Sequence, residues 1–235
     1  MIIDCISDLH GERPTHLLKG GDLLIIAGDL TLTDKEKEYD DFCKWILCLP
    51  YEYVVVIAGN HDNFLQDNPD YLPNPGGNFC YLCDSGCEFE IEEEIQEDHK
   101  FRGAITYKQK RKIKIWGSPW TTTFEGINPH CCAFTVDTDE ELDKKWELIP
   151  EDTDILITHC PPNGILDFAR IAKDHVGSRS LRNHVIGRIK PRIQVYGHIH
   201  EWGGNLVDLV TTRFINASHV NEDYEPVNAP IRIVL

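Results

Sequence analysis

Five short stretches carry side chains that bind divalent metals, and each sits at the end of a short apolar run. Ser7-Asp8-Leu9-His10 follows the run Met1 to Ile6, Gly28-Asp29 follows Leu23 to Ala27, and Gly59-Asn60-His61-Asp62 follows Tyr53 to Ala58. Thr158-His159-Cys160-Pro161-Pro162 closes the run that begins at Asp154, and Gly197-His198-Ile199-His200 follows Arg192 to Tyr196. Borderline divalent metals favour this mixture of imidazole nitrogen with carboxylate or amide oxygen. Each stretch alone has an ordinary reading. Asp-x-His is commonly a loop with a capping carboxylate, and Gly-Asp is commonly a turn. Asn-His-Asp serves as an Asx turn opening a helix, and a single His is commonly a hydrogen-bonded structural residue. Gly-His-x-His says more, because on an extended segment its two imidazoles point the same way. The ordinary readings would have to coincide at all of these run ends, in one ordered series.

The elements that must position these residues are legible as well. The apolar runs, with Ile113 to Trp116 and Phe214 to Asn216 added, lack strict alternation and read as strands buried on both faces. Helical patterns lie between some of them. Thr33 with Glu36 makes a capping box before Phe42, Trp45, Ile46 and Leu49. Thr138 with Glu141 repeats the signal before Leu142, Trp146 and Leu148. Residues 179–190 place Leu181, Val185, Ile186 and Ile189 on one helical face. Strands alternating with helices predict an α/β domain, whose ligand site belongs in loops at the strand C-terminal ends.

Composition narrows the function classes. The 235 residues are 41% hydrophobic, with 5 Trp, 8 Tyr and 9 Phe, which excludes disorder. Lys and Arg number 23 against 39 Asp and Glu, a net charge of −16. Such a surface repels nucleic-acid backbones and anionic membranes. No apolar run has transmembrane length, and Met1-Ile2-Ile3 leads straight into Asp4, so no signal peptide is read. The 9 cysteines are odd in number and scattered, which predicts reduced thiols in a cytoplasmic setting.

The ordered series D-x-H, G-D, G-N-H-D, H and G-H-x-H resembles the calcineurin-like metallophosphoesterase superfamily, with no ligand position replaced. Trp116-Gly117-Ser118-Pro119-Trp120, the segment Thr158 to Asp167, His175-Val176-Gly177, Gly197 to Glu201 and Phe214 to Ser218 look like its MPPED-type branch, which is similar to class III cyclic nucleotide phosphodiesterases. The match spans residues 1 to about 220. The resemblance implies one domain over 1–235, built as a central β-sandwich of two mixed sheets flanked by helices. Residues 92–112 depart from it as a charged hairpin insertion. It implies two divalent ions (manganese, iron or zinc, with manganese favoured). Asp8, His10 and His200 would hold the first and Asn60, His159 and His198 the second, with Asp29 bridging both. His61 would act as general acid or as donor to the phosphoryl oxygen. Asp62 is read either as orienting His61 or as capping a following turn. Asn60, His61 and His175 are candidate substrate contacts.

The chemistry accounts for these residue types. Phosphodiester hydrolysis needs a nucleophile at neutral pH, neutralised charge on phosphorus and a stabilised leaving alkoxide. Two cations roughly 3.5–4 Å apart can hold a bridging hydroxide and clamp two phosphoryl oxygens. Two divalent ions against Asp8, Asp29 and a hydroxide leave the pocket net positive inside an acidic protein. That suits a small anionic diester or nucleotide better than long nucleic acid. The expected function is therefore dinuclear phosphodiester hydrolysis, with cyclic nucleotides among the candidate substrates and His61 assisting the leaving group. The alternatives are a protein Ser/Thr phosphatase or phosphomonoesterase, and a vestigial scaffold. Ser/Thr phosphatases carry an acidic, Arg-containing extension after Gly-Asp, where Leu30-Thr31-Leu32-Thr33 stands here; scaffolds usually have broken ligand blocks. Cys80, Cys83 and Cys87 read as structural thiols rather than a zinc site.

Overall fold

The computed structural model describes residues 1–72, 77–99, 103–124 and 130–235. Its first six strands are β1 (Ile2–Ile6), β2 (Gly21–Ala27), β3 (Tyr51–Ile57), β4 (Phe79–Tyr81), β5 (Ser85–His99) and β6 (Gly103–Ser118). One sheet runs in the order Ile231–Val234, β1, β2, β3, β4. It is parallel except for the antiparallel edge strand Ile231–Val234. The other runs Asn205–Leu209, Thr212–Asn216, Ile193–Tyr196, Ile155–Thr158, β6, β5, with a parallel centre and antiparallel edges. Both sheets are mixed, and they pack face to face as a sandwich, as the family resemblance implied.

Strand alternation decides what each face meets. Ile3, Cys5, Leu23, Ile25, Val55 and Ile57 project from the first sheet against Ile113, Ile115, Ile155, Ile157, Ile193, Val195 and Ile215 of the second. The alternate residues Leu24, Ile26, Val54 and Val56 face outward and are covered by α1 (Glu36–Ile46) through Tyr39, Phe42 and Ile46, with Leu65 of the short α2 (Asn63–Asp67) in the same cluster. Across the molecule, Leu156, Tyr196 and Phe214 are covered by Leu142 and Trp146 of α3 (Asp139–Trp146), by Leu181 of α4 (Arg179–Asn183) and by Val185. An inner face meeting a sheet and an outer face meeting helices explains why these strands show no polar alternation.

Three local expectations are corrected. The glutamate that caps α1 is Glu38, whose Oε2 accepts from Thr33 N, Thr33 Oγ1 and Lys35 N; Glu36 does not fill that role. Leu148 is exposed and lies beyond α3, while Ile149 takes the buried position after the helix turns off. Residues 179–190 form α4 followed by a π-helical segment, His184–Ile189, which keeps Leu181, Val185 and Ile189 buried. The Thr138–Glu141 box forms as read, with Glu141 N donating to Thr138 Oγ1 at 3.2 Å.

The charged segment is a long antiparallel ribbon, paired from Ser85 opposite Gly117 to His99 opposite Gly103. Its register sets Glu88, Glu90 and Glu92 opposite Lys114, Lys112 and Lys110. Diagonal ion pairs join Lys112 to Glu88 at 2.9 Å and Lys110 to Glu90 at 3.4 Å. Being exposed, they set register more than stability. Residues 100–102 lie outside the described residues. Among the described residues no helix is long and apolar enough to cross a membrane.

Candidate metal centre

Parallel pairing puts the strand C-terminal ends of both sheets at one edge of the sandwich. Backbone bonds then stitch the loops together: Asp8 N to Gly28 O at 3.0 Å, His10 N to Asp29 O at 3.0 Å, and Gly197 N to His159 O at 3.3 Å. Asp8, His10, Asp29 and His198 all have left-handed backbones, with φ of 51°, 41°, 53° and 68°. Such conformations cost roughly 1–3 kcal/mol each and persist only where the surroundings over-determine them. Two glycines are required by close approach. A Cβ on Gly59 would run into the Asp29 carboxylate, and one on Gly197 into that of Asp8.

Among the described residues three groups of donor atoms converge here, each with its atoms within 4.8 Å of one another: Asp8, His10 and His200; His10, Asp29 and His61; Asp8, Asp29 and His159. Asp29 stands between the rings. Its Oδ2 lies 3.5 Å from His159 Nε2, 3.7 Å from His10 Nε2 and 3.9 Å from His61 Nε2. His200 Nε2 is 3.3 Å from Asp8 Oδ1 and 3.4 Å from His10 Nε2. Asn60 Oδ1 is 3.0 Å from His159 Nε2. The His198 ring is 5.0 Å from that of His159.

The supporting bonds orient these rings for a cation. His159 Nδ1 donates to Ala27 O at 2.9 Å and His200 Nδ1 to Asn221 O at 3.1 Å, which turns each Nε2 towards the cluster. Asp8 is fixed by Ser218 Oγ at 2.6 Å and by His198 N. Among the described residues His198 Nε2 is buried with no hydrogen-bond partner, although buried polar nitrogens are normally satisfied. An orphaned imidazole nitrogen beside carboxylates, within an N/O donor set, fits divalent metal.

The electrostatics agree. Burial, reinforced by His159, pushes His198 down to about 3, and burial pushes His10 down to about 4 despite the two carboxylates. Both rings are therefore neutral at pH 7, as ligands must be. Burial would raise the Asp8 and Asp29 carboxyls. Hydrogen bonding and charge from His200 hold Asp8 well below the carboxylate range, and the charges of His159 and His61 do the same for Asp29. For His159, burial opposes the charged form, but Asp29 outweighs it and raises the ring to about 9. Metal binding must then displace that proton at neutral pH. With that one proton displaced, apparent affinity should rise up to about tenfold per pH unit above pH 7 and level off near pH 9. Calorimetric titration of metal into metal-free protein across this range should show the slope, with proton release.

His61 sits nearer the surface than Asp29, with 15% against 2% side-chain exposure. Its backbone N donates to Asp29 Oδ1 at 3.0 Å, and its Nδ1 meets Cys131 Sγ at 3.3 Å. Its Nε2 also belongs to one of the donor groups, so His61→Ala, taken up in the Discussion, decides between ligand and proton donor. The Asp62 carboxylate does not turn to the His61 ring. It accepts from Gly59 N at 2.8 Å, Leu30 N at 3.2 Å and Tyr39 OH at 3.0 Å. Burial, with Asp29 nearby, raises it to about 8. Asp62 stands at the N-cap of Asn63–Asp67 but makes no side-chain cap bond there, so both readings, orienting His61 and capping the following turn, give way to bracing the Asp29 and Asn60 loops from behind. Asp62→Ala should strand two buried N–H groups and cost about 2–4 kcal/mol of stability. Urea unfolding of the metal-free protein should show that loss.

His175 stands apart from the donor groups. Its Nδ1 bonds the buried Asp167 Oδ1 at 2.6 Å, in a loop tied to the segment beside His200 by Trp202 Nε1 to Phe168 O and Arg170 N to Glu201 Oε1. Three residues at the site carried no role in the sequence reading. Ser218 lay in a quoted motif without one. Asn221 acts through its carbonyl, which leaves no side-chain signal. Tyr224 packs its ring 4.8 Å from His10, 5.3 Å from His200 and 6.3 Å from His61, from an irregular segment.

Comparison with known proteins agrees with this geometry. Residues 1–202 match the calcineurin-like phosphoesterase family. The chain is 37% identical over 235 residues to metallophosphoesterase domain-containing protein 1 of Homo sapiens, covering 98% of this chain and 70% of that protein. A Caenorhabditis elegans UPF0046 protein is 32% identical over 247 residues, covering 97% and 58%. Among solved structures, one chain superposes with a TM-score of 0.58 at 15% identity, covering 92% of this chain and 89% of that one. A candidate 5′-nucleotidase from Staphylococcus aureus gives 0.52 at 14% identity, covering 99% and 53%; at these identities the likeness concerns the fold alone. With its strand-end donors gathered at one edge of a two-sheet sandwich, the chain belongs to the calcineurin-like phosphoesterase family.

Proposed function

We propose that the protein hydrolyses small phosphodiesters, cyclic nucleotides among them, using two divalent ions. The observation that carries this reading is the Asp29 carboxylate, 2% exposed, with one oxygen 3.5 Å from His159 Nε2 and 3.7 Å from His10 Nε2. In this reading that carboxylate would join Asp8, His10 and His200, holding one ion, to Asn60, His159 and His198, holding the other. Ions bound there would supply a water-derived nucleophile at neutral pH and electrophilic stabilisation of the phosphoryl oxygens. The donor set suits manganese, iron or zinc; manganese is the ion we propose.

The chain's own residues orient and protonate. Ala27 O and Asn221 O fix the tautomers of His159 and His200. His61, at the more exposed rim, holds a proton on Nε2 for the leaving oxygen. The net charge of −16 keeps long polyanions away while a small anion enters the pocket. A cytoplasmic location belongs to this reading, supported by nine cysteines with no disulfide.

The test is a panel on manganese-reconstituted protein: bis-p-nitrophenyl phosphate, 2′,3′- and 3′,5′-cyclic nucleotides, p-nitrophenyl phosphate and a phosphopeptide. Faster turnover of diesters than of monoesters is expected. A preference for p-nitrophenyl phosphate or the phosphopeptide would instead make the protein a phosphomonoesterase or protein phosphatase, and no turnover of anything would leave a scaffold.

A further inference from the structure

Tyr224 is 42% exposed, yet it stands against three histidines of the metal centre. Its ring is perpendicular to those of His10 and His200, at 72° and 87°. A ring this close to three of the site's histidines, and partly open to solvent, is placed to meet whatever enters. We propose that Tyr224 is a substrate-contact residue that packs against a planar ring of the substrate, an aryl group or a nucleobase, and so selects diesters that carry one. This rests on the phosphodiesterase reading above and adds to it a specificity determinant.

The turn that carries Tyr224 is built to hold it there. Tyr224 has a left-handed backbone, φ 62°, which is unfavourable for a bulky side chain. Asn221 holds that conformation in place. Its Oδ1 accepts from Asp223 N at 3.0 Å and Glu225 N at 2.8 Å, and its carbonyl accepts from Tyr224 N at 3.0 Å. The same carbonyl accepts from His200 Nδ1 at 3.1 Å. One peptide oxygen therefore fixes both the His200 ring and the turn presenting Tyr224, so the tyrosine keeps a set position relative to the centre. An aromatic wall beside a cationic pocket suits a ligand whose anionic end meets the metals while its planar end stacks. Aromatic pairs add about 0.5–1.5 kcal/mol beyond area burial, or roughly 2- to 12-fold in affinity.

The experiment measures competitive inhibition of bis-p-nitrophenyl phosphate turnover by phenylphosphonate and methylphosphonate, whose P–C bonds resist hydrolysis. It uses metal-reconstituted wild type, Tyr224→Ala and Tyr224→Phe. Wild type should bind the phenyl compound about 5- to 10-fold more tightly than the methyl compound. Tyr224→Ala should abolish that preference by raising the phenylphosphonate Ki alone, and Tyr224→Phe should retain it. If Tyr224→Ala keeps the preference, or raises both Ki values together with loss of metal, Tyr224 supports the centre rather than the substrate and the proposal is overturned. An inactive wild type would overturn the phosphodiesterase reading itself, and this inference with it.

Discussion

Asp29→Asn is expected to cost about 10²–10⁴-fold in turnover and to lower metal content, more than Asn60→Ala does. The carboxylate is almost fully buried, and its Oδ2 faces imidazole nitrogens of His10, His61 and His159. Removing one partner from a buried charge cluster costs about 3–5 kcal/mol, which is that rate range if all of it falls on the transition state. The amide keeps the shape and can still accept from His61 N, so the backbone contact survives while the charge is lost. Asn60→Ala removes a neutral donor instead. Metal analysis and kcat on both variants check the order. Full metal content with full turnover in Asp29→Asn would mean that Asp29 joins nothing.

His61→Ala should lower turnover while leaving the metals in place, and by an amount that depends on the substrate. A positioned acid contributes about 10²–10⁴-fold. p-Nitrophenolate leaves readily without a proton, whereas a ribose alkoxide does not. The loss should therefore be much greater for a cyclic nucleotide than for bis-p-nitrophenyl phosphate. Equal losses would make His61 a donor to a non-bridging phosphoryl oxygen, still catalytic but not an acid. Loss of metal would make it a ligand, a role its place with His10 and Asp29 also permits. Measuring kcat for both substrates, with metal content in each protein, separates these outcomes.

The candidate metal donors could be picked out because their signal is local: strand, then a polar loop with a side chain of metal-binding type, repeated in order. The sandwich was not legible from the strands. Leu24 and Ile25 are equally apolar, although one faces α1 and the other the opposite sheet. Either architecture buries both faces, and only the family resemblance chose between them. The edge strands Asn205–Leu209 and Ile231–Val234 are short and largely exposed, and Asp208 and Arg232 interrupt their apolar residues, so no continuous run marks them. The remaining errors come from direction and backbone. Asp62 follows His61 in sequence, but its carboxylate turns back to Leu30 and Gly59. The capping glutamate sits two residues later than the spacing suggested, because the chain enters α1 from Lys35 rather than Thr33. Tyr224 comes from an irregular turn shaped by Asn221, and no periodicity points it at the histidines.

The measurement that bears most directly on the central claim is metal stoichiometry matched to turnover. Chelated protein is titrated with Mn²⁺, and bound metal and bis-p-nitrophenyl phosphate hydrolysis are followed together. Two ions per chain are expected, with activity reaching its plateau only as the second binds. A plateau at one ion, or hydrolysis that persists in chelated protein, would contradict a dinuclear centre joined by Asp29.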